Sequence, residues 1–595
     1  MNQSLICRFR SDSATRLVQG VLATGILLFT GCSTEVEPSS EAPAAVVAAP
    51  AAETVAARLA HAGHGAMAAH QLDPGYLNTE EGIAPLLEGI GPLNFPISTE
   101  EPLAQAYFNQ ALTFSFGFNH AEAVRSFREA VRMDPTCGIC WWGVALALGP
   151  NINAAMDEAA VKPAWESLQQ ALALRDQESP LEQALIDAVS TRYSEDGSGR
   201  DALDVAYAGS MQAVAEKFPD NTHVLTLYAE ALMDLYPWAY WEDDGSPREH
   251  TAELVSVIEK VMGMDPQHPG ALHLYIHAME RFTPEKAEVA ADRLGPLVPV
   301  AGHLVHMPSH IYLRVGRYHD AVTANQAAAL ADEDYLSQCD AQGFYPAGYY
   351  PHNIHFLWYA AIMEGRKELA VETARRLYDK VDHDMARQFG SIQRYLGVRG
   401  ATYVRFGMWQ EALDEPEMPE GMPAAAFMRE YARGVAQAAT GDIAAARKTL
   451  EGMWVARNSD DFDAVMDRQG DIGNLLGDIA IELVEAEIAR AEQDPAAEIL
   501  HLQAAVAAQD ALPYTEPPFW HFPVRQALGS AFLRAGEPDA AAATFAEDLG
   551  NFPNNGWSLH GLHAARTALG QSTADIDGVL ETAWQYSDIE PTSGP

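Results

Sequence analysis

Apolar residues recur along most of the chain in a pattern that mixes small and large side chains at helical spacing. Residues three and four positions apart share one face of a helix, so this spacing predicts amphipathic helices that come in pairs. The first unit places Tyr107, Ala111 and Phe114 on one helix, Ala123, Phe127 and Ala130 on the next, and Pro135 at its end. The following unit repeats the pattern with Trp141, Ala145, Leu148, Ala164, Leu168 and Ala171, around an inserted loop at 149–153.

The pairing continues to about residue 585 with a period of about 34 residues. The predicted turns carry a glycine followed by an alanine: Gly316 and Ala321, Gly365 and Ala370, Gly407 and Ala412, Gly441 and Ala445, Gly536 and Ala540. Runs of alternating polar and apolar residues, which would indicate strands, are nearly absent. The sequence therefore predicts an all-α solenoid, a stack of roughly ten to twelve helix hairpins.

This period and these packing positions resemble the tetratricopeptide repeat (TPR), in which alanines let paired helices approach and aromatic rings fill the gaps between hairpins. Two further strings, HMPSHIYLRVGRY at 306–318 and YYPHNIHFLW at 349–358, resemble a bacterial family of long TPR lipoproteins, as do 118–135 and 142–153. The resemblance implies a right-handed superhelix whose first helices line a concave groove. It supplies no catalytic residue.

The beginning of the chain has the composition of an export signal. Its basic residues are Arg8, Arg10 and Arg16. The apolar stretch 17–29 is too short and too interrupted by glycine to span a membrane as a stable helix. The string LFTGC that ends at Cys32 resembles a bacterial lipobox, which implies a lipoprotein signal peptide at 1–31 and lipidation of Cys32. The alternative is an ordinary signal peptide.

A flexible tether is predicted at 32–75, where Ala, Pro and His are frequent, and the solenoid then occupies 76–590. Ser33 after the lipidated cysteine favours, by the same resemblance, a place in the bacterial cell envelope on the periplasmic side of the outer membrane. The tether contains His61, His64, Met67 and His70. Such a tract resembles metal-capturing segments of periplasmic copper proteins, and the alternative is a neutral linker.

The net charge of −44 narrows the classes of partner. Nucleic acids and anionic lipid surfaces attract basic proteins, so we expect no nucleic-acid partner and membrane contact through the lipid anchor only. If Cys32 is lipidated, too few cysteines follow it for a disulfide framework. Cys137 and Cys140 have the CxxC spacing of redox and zinc motifs, but no second CxxC exists. A catalytic redox role is not favoured, and the sequence leaves open whether the two are bonded.

Histidines concentrate on the predicted groove face of three consecutive repeats. They are His273, His277, His303, His306, His310, His352 and His355, seven of the twenty in the chain. Histidines three or four residues apart on a helix share one face and can bind one metal ion. The pairs 273/277, 306/310 and 352/355 meet this condition, so the row predicts a metal site.

Imidazole suits copper, zinc, iron and nickel. Met307 beside the row and Met67 in the tether favour copper, with zinc and iron as alternatives. Glu230 and Glu280 are candidate carboxylates near the site. Pro308 interrupts the row, because proline disfavours helix at the residue before it. Either a helix begins at Pro308, with His303 and His306 on the preceding loop, or the helix is kinked there.

Other residues are expected to wall the groove or fill gaps between repeats: Asn151, Asn153, the stretch 234–241, Tyr349, Tyr350, Trp358, Tyr359 and the stretch 520–525. Three functions follow from this arrangement. The first is an anchored protein that binds a protein or small-molecule ligand in its groove and holds a transition metal there. The second is a metalloenzyme of the copper-dependent oxidase type that uses the same histidines. The third is a metal-free interaction scaffold.

Overall fold

The computed structural model describes residues 84–339, 345–459, 462, 472–590 and 592. Within these residues the fold is built from α-helices and short turns, and the only β-bridges are isolated ones at Asn151–Ala154 and Trp241–Pro247. The predicted all-α repeat fold is therefore confirmed for the described part of the chain.

The helices follow one another with short connections and pack mainly on their neighbours in sequence. Their bounds are α1 Pro102–Phe116, α2 His120–Met133, α3 Gly138–Ala147, α4 Glu158–Leu174, α5 Pro180–Val189, α6 Arg200–Lys217, α7 Thr222–Met233, α8 Thr251–Met264, α9 Pro269–Met279, α10 Glu288–Leu294, α11 Gly302–His306, α12 Pro308–Val315, α13 Tyr318–Gln338, α14 Tyr349–Met363, α15 Lys367–Lys380, α16 His383–Gln388, α17 Gly390–Arg405, α18 Trp409–Asp414, α19 Pro423–Ala439, α20 Ile443–Arg457, α21 Ile472–Ala491, α22 Pro495–Asp510, α23 Val524–Arg534, α24 Pro538–Asn551, α25 Gly556–Ala568 and α26 Asp577–Ala583.

The first hairpin shows how small and large residues hold the repeats together. Ala111 on α1 and Ala123 on α2 are fully buried, so the two helix backbones can approach. Phe127 of α2 packs on Gly143 of α3, where an added Cβ would lie 2.3 Å from the Phe127 ring. Only glycine fits at that position, because interiors are packed too tightly to absorb a methyl group.

The predicted glycine turns between helices are present. Gly316, Gly365, Gly407, Gly441 and Gly536 all have positive φ, which glycine adopts without a steric penalty. At Gly316, after α12, a Cβ would also lie 2.2 Å from the carbonyl oxygen of Pro553. This turn therefore contacts a distant repeat as well as reversing the chain.

The two helices of a repeat differ in how deeply they are buried. Every residue of α14 is buried, whereas its partner α15 buries only Ala370, Thr373, Ala374 and Leu377. Helix α9 is likewise buried along its whole length. These helices are covered on every side, so their polar side chains must find partners within the protein.

The break at Pro308 is a kink between two helical segments. Met307, between α11 and α12, keeps right-handed helical backbone angles, with φ −52° and ψ −35°. Pro308 has no N–H to donate, and the His310 N–H instead donates to the Met307 carbonyl at 3.1 Å. His303 and His306 are thus held on a helical turn and do not lie on a loop.

Several sequence-based predictions lie outside the described residues: the signal peptide with Cys32, the tether with its His/Met tract, and the boundary at 76. Among the helices that are described, none combines the length and apolar character that a membrane crossing needs. Cys137 and Cys140, at the start of α3, form a disulfide.

Candidate metal centre

Six of the seven predicted groove histidines meet inside the protein in two groups of three. Helix α9 supplies His273 and His277, the kinked α11–α12 segment supplies His303, His306 and His310, and α14 supplies His352. The first triad is His273, His277 and His303, and the second triad is His306, His310 and His352. In each triad the three candidate ligand atoms lie within 4.8 Å of one another, and all six side chains are buried.

In the first triad, the Nε2 atoms of His273 and His277 lie 3.0 Å apart. The Nδ1 atom of His273 lies 2.6 Å from the carbonyl oxygen of Phe116, which can only accept, so Nδ1 carries the proton. The Nδ1 atom of His277 lies 3.3 Å from Oε1 of Glu280, and with Glu280 ionised it also donates. Both Nε2 atoms are then unprotonated and face each other. Neither ring nitrogen of His303 has a hydrogen-bond partner.

The second triad repeats this arrangement. The Nε2 atoms of His306 and His310 lie 3.0 Å apart. His306 Nδ1 lies 2.6 Å from Oδ1 of Asn325, and the Asn325 amide is oriented by its own donation to the Ala321 carbonyl. His310 Nδ1 lies 2.6 Å from Oε2 of Glu280. Both Nδ1 atoms are used as donors, so two unprotonated Nε2 atoms again face each other.

Two facing nitrogen lone pairs at 3.0 Å repel unless a proton or a metal ion lies between them. Burial opposes protonation, since it lowers the pKa of His273, His277 and His310 to about 3. Burial also lowers the pKa of His303 and His306 well below the ordinary value. These five imidazoles are therefore neutral, which is the state that binds metals. Two nitrogens bound to one tetrahedral ion at about 2.0 Å would be about 3.3 Å apart, close to the distance observed.

Glu280 connects the two triads. It directly follows α9, and its two carboxylate oxygens hold His277 of the first triad and His310 of the second. Burial raises the pKa of Glu280. Glu280 was one of the two carboxylates expected from the sequence. For the other, Glu230, burial outweighs the opposing charge of Arg192 and raises the pKa to about 7. Glu230 is in neither triad.

Glu516 is a residue of the centre that sequence reasoning missed. Its Oε2 lies 3.5 Å from His310 Nδ1, and its other oxygen accepts from the Tyr514 hydroxyl at 2.5 Å. Burial and the neighbouring Glu280 raise its pKa well above the ordinary value. Glu516 lies on a loop far along the chain from the histidines, and no spacing in the sequence connects it to them.

A small cavity of 40 Å³ opens beside both triads and is lined by His277, His303, His310 and His352. We call this cavity the vestibule. The Trp238 indole N–H donates to Oδ1 of Asn153 at 3.0 Å, and the Asn153 amide donates to the Tyr349 hydroxyl at 3.0 Å. Residues of the inserted loop 149–153 and of the aromatic stretch 234–241 therefore line the cavity beside the histidines. This was one of the two roles that the sequence predicted for these segments. Arg394 and Tyr395 of α17 complete the lining.

His355 lies apart from both triads. Its ring stacks on Trp358 at 5.3 Å and meets the Tyr395 ring edge-on at 5.2 Å. Its Nδ1 is buried without a hydrogen-bond partner. The structure thus separates His355 from His352, its neighbour on the same helix.

Residues 104–137 match the sequence pattern of a tetratricopeptide repeat. No curated protein matches the chain by sequence. Similar solved structures include the human IFIT1 dimer with m7Gppp-AAAA, at 10% identity over 82% of this chain and 91% of that one, with a TM-score of 0.30. The TPR domain of P58(IPK) has 12% identity over 78% and 98%, with a TM-score of 0.21.

A third similar structure is Naa15/Naa10 bound to HypK-THB, at 12% identity over 81% of this chain and 70% of that one, with a TM-score of 0.20. Scores this low carry no conclusion about function. The assignment of the fold rests on the match to a tetratricopeptide repeat at 104–137 and on the stacked helix hairpins. The described chain is therefore an all-helical, TPR-type repeat protein in which six buried histidines from three adjacent repeats meet.

Proposed function

We propose that this protein is an exported, lipid-anchored TPR-type protein that binds transition-metal ions at the two histidine triads, with copper favoured, and holds a ligand or partner in its groove. The observation that carries the metal site is the pair of facing Nε2 contacts, 3.0 Å each. With Glu280 ionised, all four Nδ1 atoms of these pairs have an acceptor, so the Nε2 atoms carry the lone pairs. A metal ion at each triad removes the repulsion and uses the lone pairs.

The ligand set supports copper. Each triad offers imidazole nitrogens, which copper binds strongly, and zinc and iron accept the same ligands. Export would place the centre in an oxidising compartment, and the disulfide between Cys137 and Cys140 supports such a location. The partners of the histidines, at Phe116, Glu280 and Asn325, fix the ring orientations as metal sites require.

A metalloenzyme of the copper-dependent oxidase type is a second candidate, favoured by the vestibule. Three protein ligands leave a coordination position open, which is the arrangement of catalytic sites, whereas structural sites are closed. Histidines of both triads line the vestibule, so an open position at either triad would face this cavity. Redox turnover by the copper-loaded protein would favour this candidate over simple binding.

Metal analysis of the purified full chain tests the proposal. We expect two copper ions per chain after loading with copper and removal of the excess. The double variant His306→Ala/His310→Ala is expected to retain one. The matched control is His223→Ala/His268→Ala, which removes another closely spaced histidine pair and is expected to retain two.

Substoichiometric copper, zinc and iron in a folded wild-type protein would overturn the metal site and leave a metal-free scaffold. The anchor has its own test, which is metabolic labelling with a radioactive fatty acid. We expect label on the wild-type chain and none on Cys32→Ala, with release of the variant from the membrane fraction. Label that persists on the variant, or a wild-type chain without label, would contradict the anchor.

A further inference from the structure

A second cavity adjoins the vestibule and shares a wall with it. This cavity has a volume of 90 Å³ and an apolar lining that includes Trp358, Phe427, Met428 and Phe519. Arg394 lines both cavities. We call the 90 Å³ cavity the apolar pocket. A ligand in the apolar pocket that contacts Arg394 would therefore lie next to the vestibule.

The apolar pocket also contains polar atoms that have no partner. The Nδ1 of His355, the Nε1 of Trp520 and the Nε2 of His521 are buried and make no hydrogen bond to any described residue. The three residues are 7%, 2% and 4% exposed, and all of them line the pocket. Buried polar groups are nearly always hydrogen-bonded, so three unpartnered ones around one cavity point to a ligand with polar atoms.

Arg394 supplies a positive charge at the junction of the two cavities. Its guanidinium lies over the Tyr395 ring at 5.0 Å and donates to the Tyr395 hydroxyl at 3.2 Å. Its Nε is buried without a partner, and among the described residues it forms no ion pair. A cation that forms no ion pair with any described residue is unusual in a chain with a net charge of −44. A carboxylate is the group that matches the planar guanidinium best.

We propose that the apolar pocket binds a small aromatic carboxylic acid, with its ring between the apolar side chains and its carboxylate on Arg394. The apolar pocket, at 90 Å³, is smaller than the cavity of about 150 Å³ that holds benzene, so its volume limits the apolar group to a single ring. The carboxylate of such an acid would extend toward Arg394, which also lines the vestibule. The pocket exists without metal, but the role of its occupant as a ligand or substrate of the metal centre rests on the proposed function.

Binding of benzoate to the full chain, measured by calorimetry on metal-free and copper-loaded protein, tests this inference. Benzamide is the neutral matched probe. We expect benzoate to bind at least tenfold more tightly than benzamide in both forms of the protein. Arg394→Gln should remove this preference, Arg394→Lys should restore part of it, and the exposed control Arg387→Gln should leave it unchanged.

The metal-free arm separates the two proposals. If copper fails to bind and benzoate binds through Arg394, the metal site is wrong and the pocket stands. If copper binds and benzoate does not, the pocket assignment is wrong and the metal site stands. Benzoate binding that persists unchanged in Arg394→Gln would also overturn the pocket assignment, because the carboxylate would then be held elsewhere.

Discussion

Two pairs of histidines in this protein have nearly the same distance between ring nitrogens but opposite hydrogen-bonding chemistry. His223 and His268 lie 2.9 Å apart, between Nδ1 and Nε2. His268 Nδ1 accepts from the Ala271 N–H, so its Nε2 carries a proton and donates to His223. His223 Nε2 then donates to the Asn94 carbonyl. Each of the four ring nitrogens therefore has a hydrogen-bond partner, a donor where the nitrogen accepts and an acceptor where it donates.

The pair His306 and His310 has no such solution while Glu280 is ionised. Asn325 and Glu280 accept from the two Nδ1 atoms, and the Nε2 atoms face each other without a proton. The first triad repeats the conflict at His273 and His277. The comparison shows that proximity of histidines does not indicate a ligand site. A ligand site is indicated by which ring nitrogens donate to their neighbours, because the remaining nitrogens then carry the lone pairs that can bind a metal.

The largest expected effect is on the acid stability of the metal-free protein. Burial lowers the pKa of His268, His273, His277 and His310 to about 3, against 6.5 for an ordinary histidine. Below pH 6.5 the unfolded chain binds protons that the folded chain does not, so stability is full above pH 6.5 and is lost as the pH falls toward 3. Within this window, each of these histidines lowers the free energy of unfolding by about 1.4 kcal/mol for every pH unit by which the pH falls. Urea unfolding at pH 7, 6 and 5 measures the loss. Buried carboxyls with raised pKa, such as Glu230 and Glu516, change the stability in the opposite direction, so the histidine contribution is measured as the difference between the wild type and His306→Ala/His310→Ala. An equal pH dependence in the two proteins would mean that the rings at this pair are charged when folded.

The next largest effect is stabilisation by metal. An ion that binds only the folded chain, at a thousandfold excess over its dissociation constant, stabilises it by about 4 kcal/mol per site. Thermal unfolding with and without copper should show this increment in the wild type and in His223→Ala/His268→Ala. His306→Ala/His310→Ala should lose about half of it. Equal increments in all three proteins would place the copper elsewhere.

Glu280→Gln should weaken copper binding at both triads, because Glu280 orients one histidine of each. Loss of such a supporting hydrogen bond typically lowers metal affinity by about 10- to 100-fold. Copper competition with a chelator of known affinity measures the change. The control is Glu253→Gln, which alters a hydrogen bond to Tyr228 and is expected to leave the affinity unchanged. An unaltered affinity in Glu280→Gln would show that the triads do not depend on this bridge.

The smallest effect is expected at the satisfied pair. His223→Ala leaves the Nε2–H of His268 without its acceptor, which should lower the free energy of unfolding by about 1 kcal/mol. Metal content should not change. A loss of bound copper in this variant would mean that the satisfied pair contributes to the metal centre after all.

The amino-acid sequence was sufficient to predict the repeat fold and the glycine turns. Both depend on local spacing, such as Ala111 against Ala123 in one hairpin or Gly316 after α12, and local spacing is visible in a sequence. It also placed the histidines on the first helices of three adjacent repeats. Their i, i+4 pairs, His273 with His277 and His306 with His310, meet in the structure because they share a helix face.

Only the tertiary structure decided which histidines lie together in a triad and which residues form hydrogen bonds to them. His352 and His355 are three residues apart and differ by roughly 60° around the axis of α14, and this angle sends one to the second triad and the other to the apolar pocket. Glu516 and the carbonyl of Phe116 reach the centre from distant parts of the chain. Hydrogen bonds from such distant partners orient the imidazole rings and so make the lone pairs face each other. A hydrogen bond between residues so far apart in the chain depends on how the repeats stack. No local sequence pattern specifies that stacking.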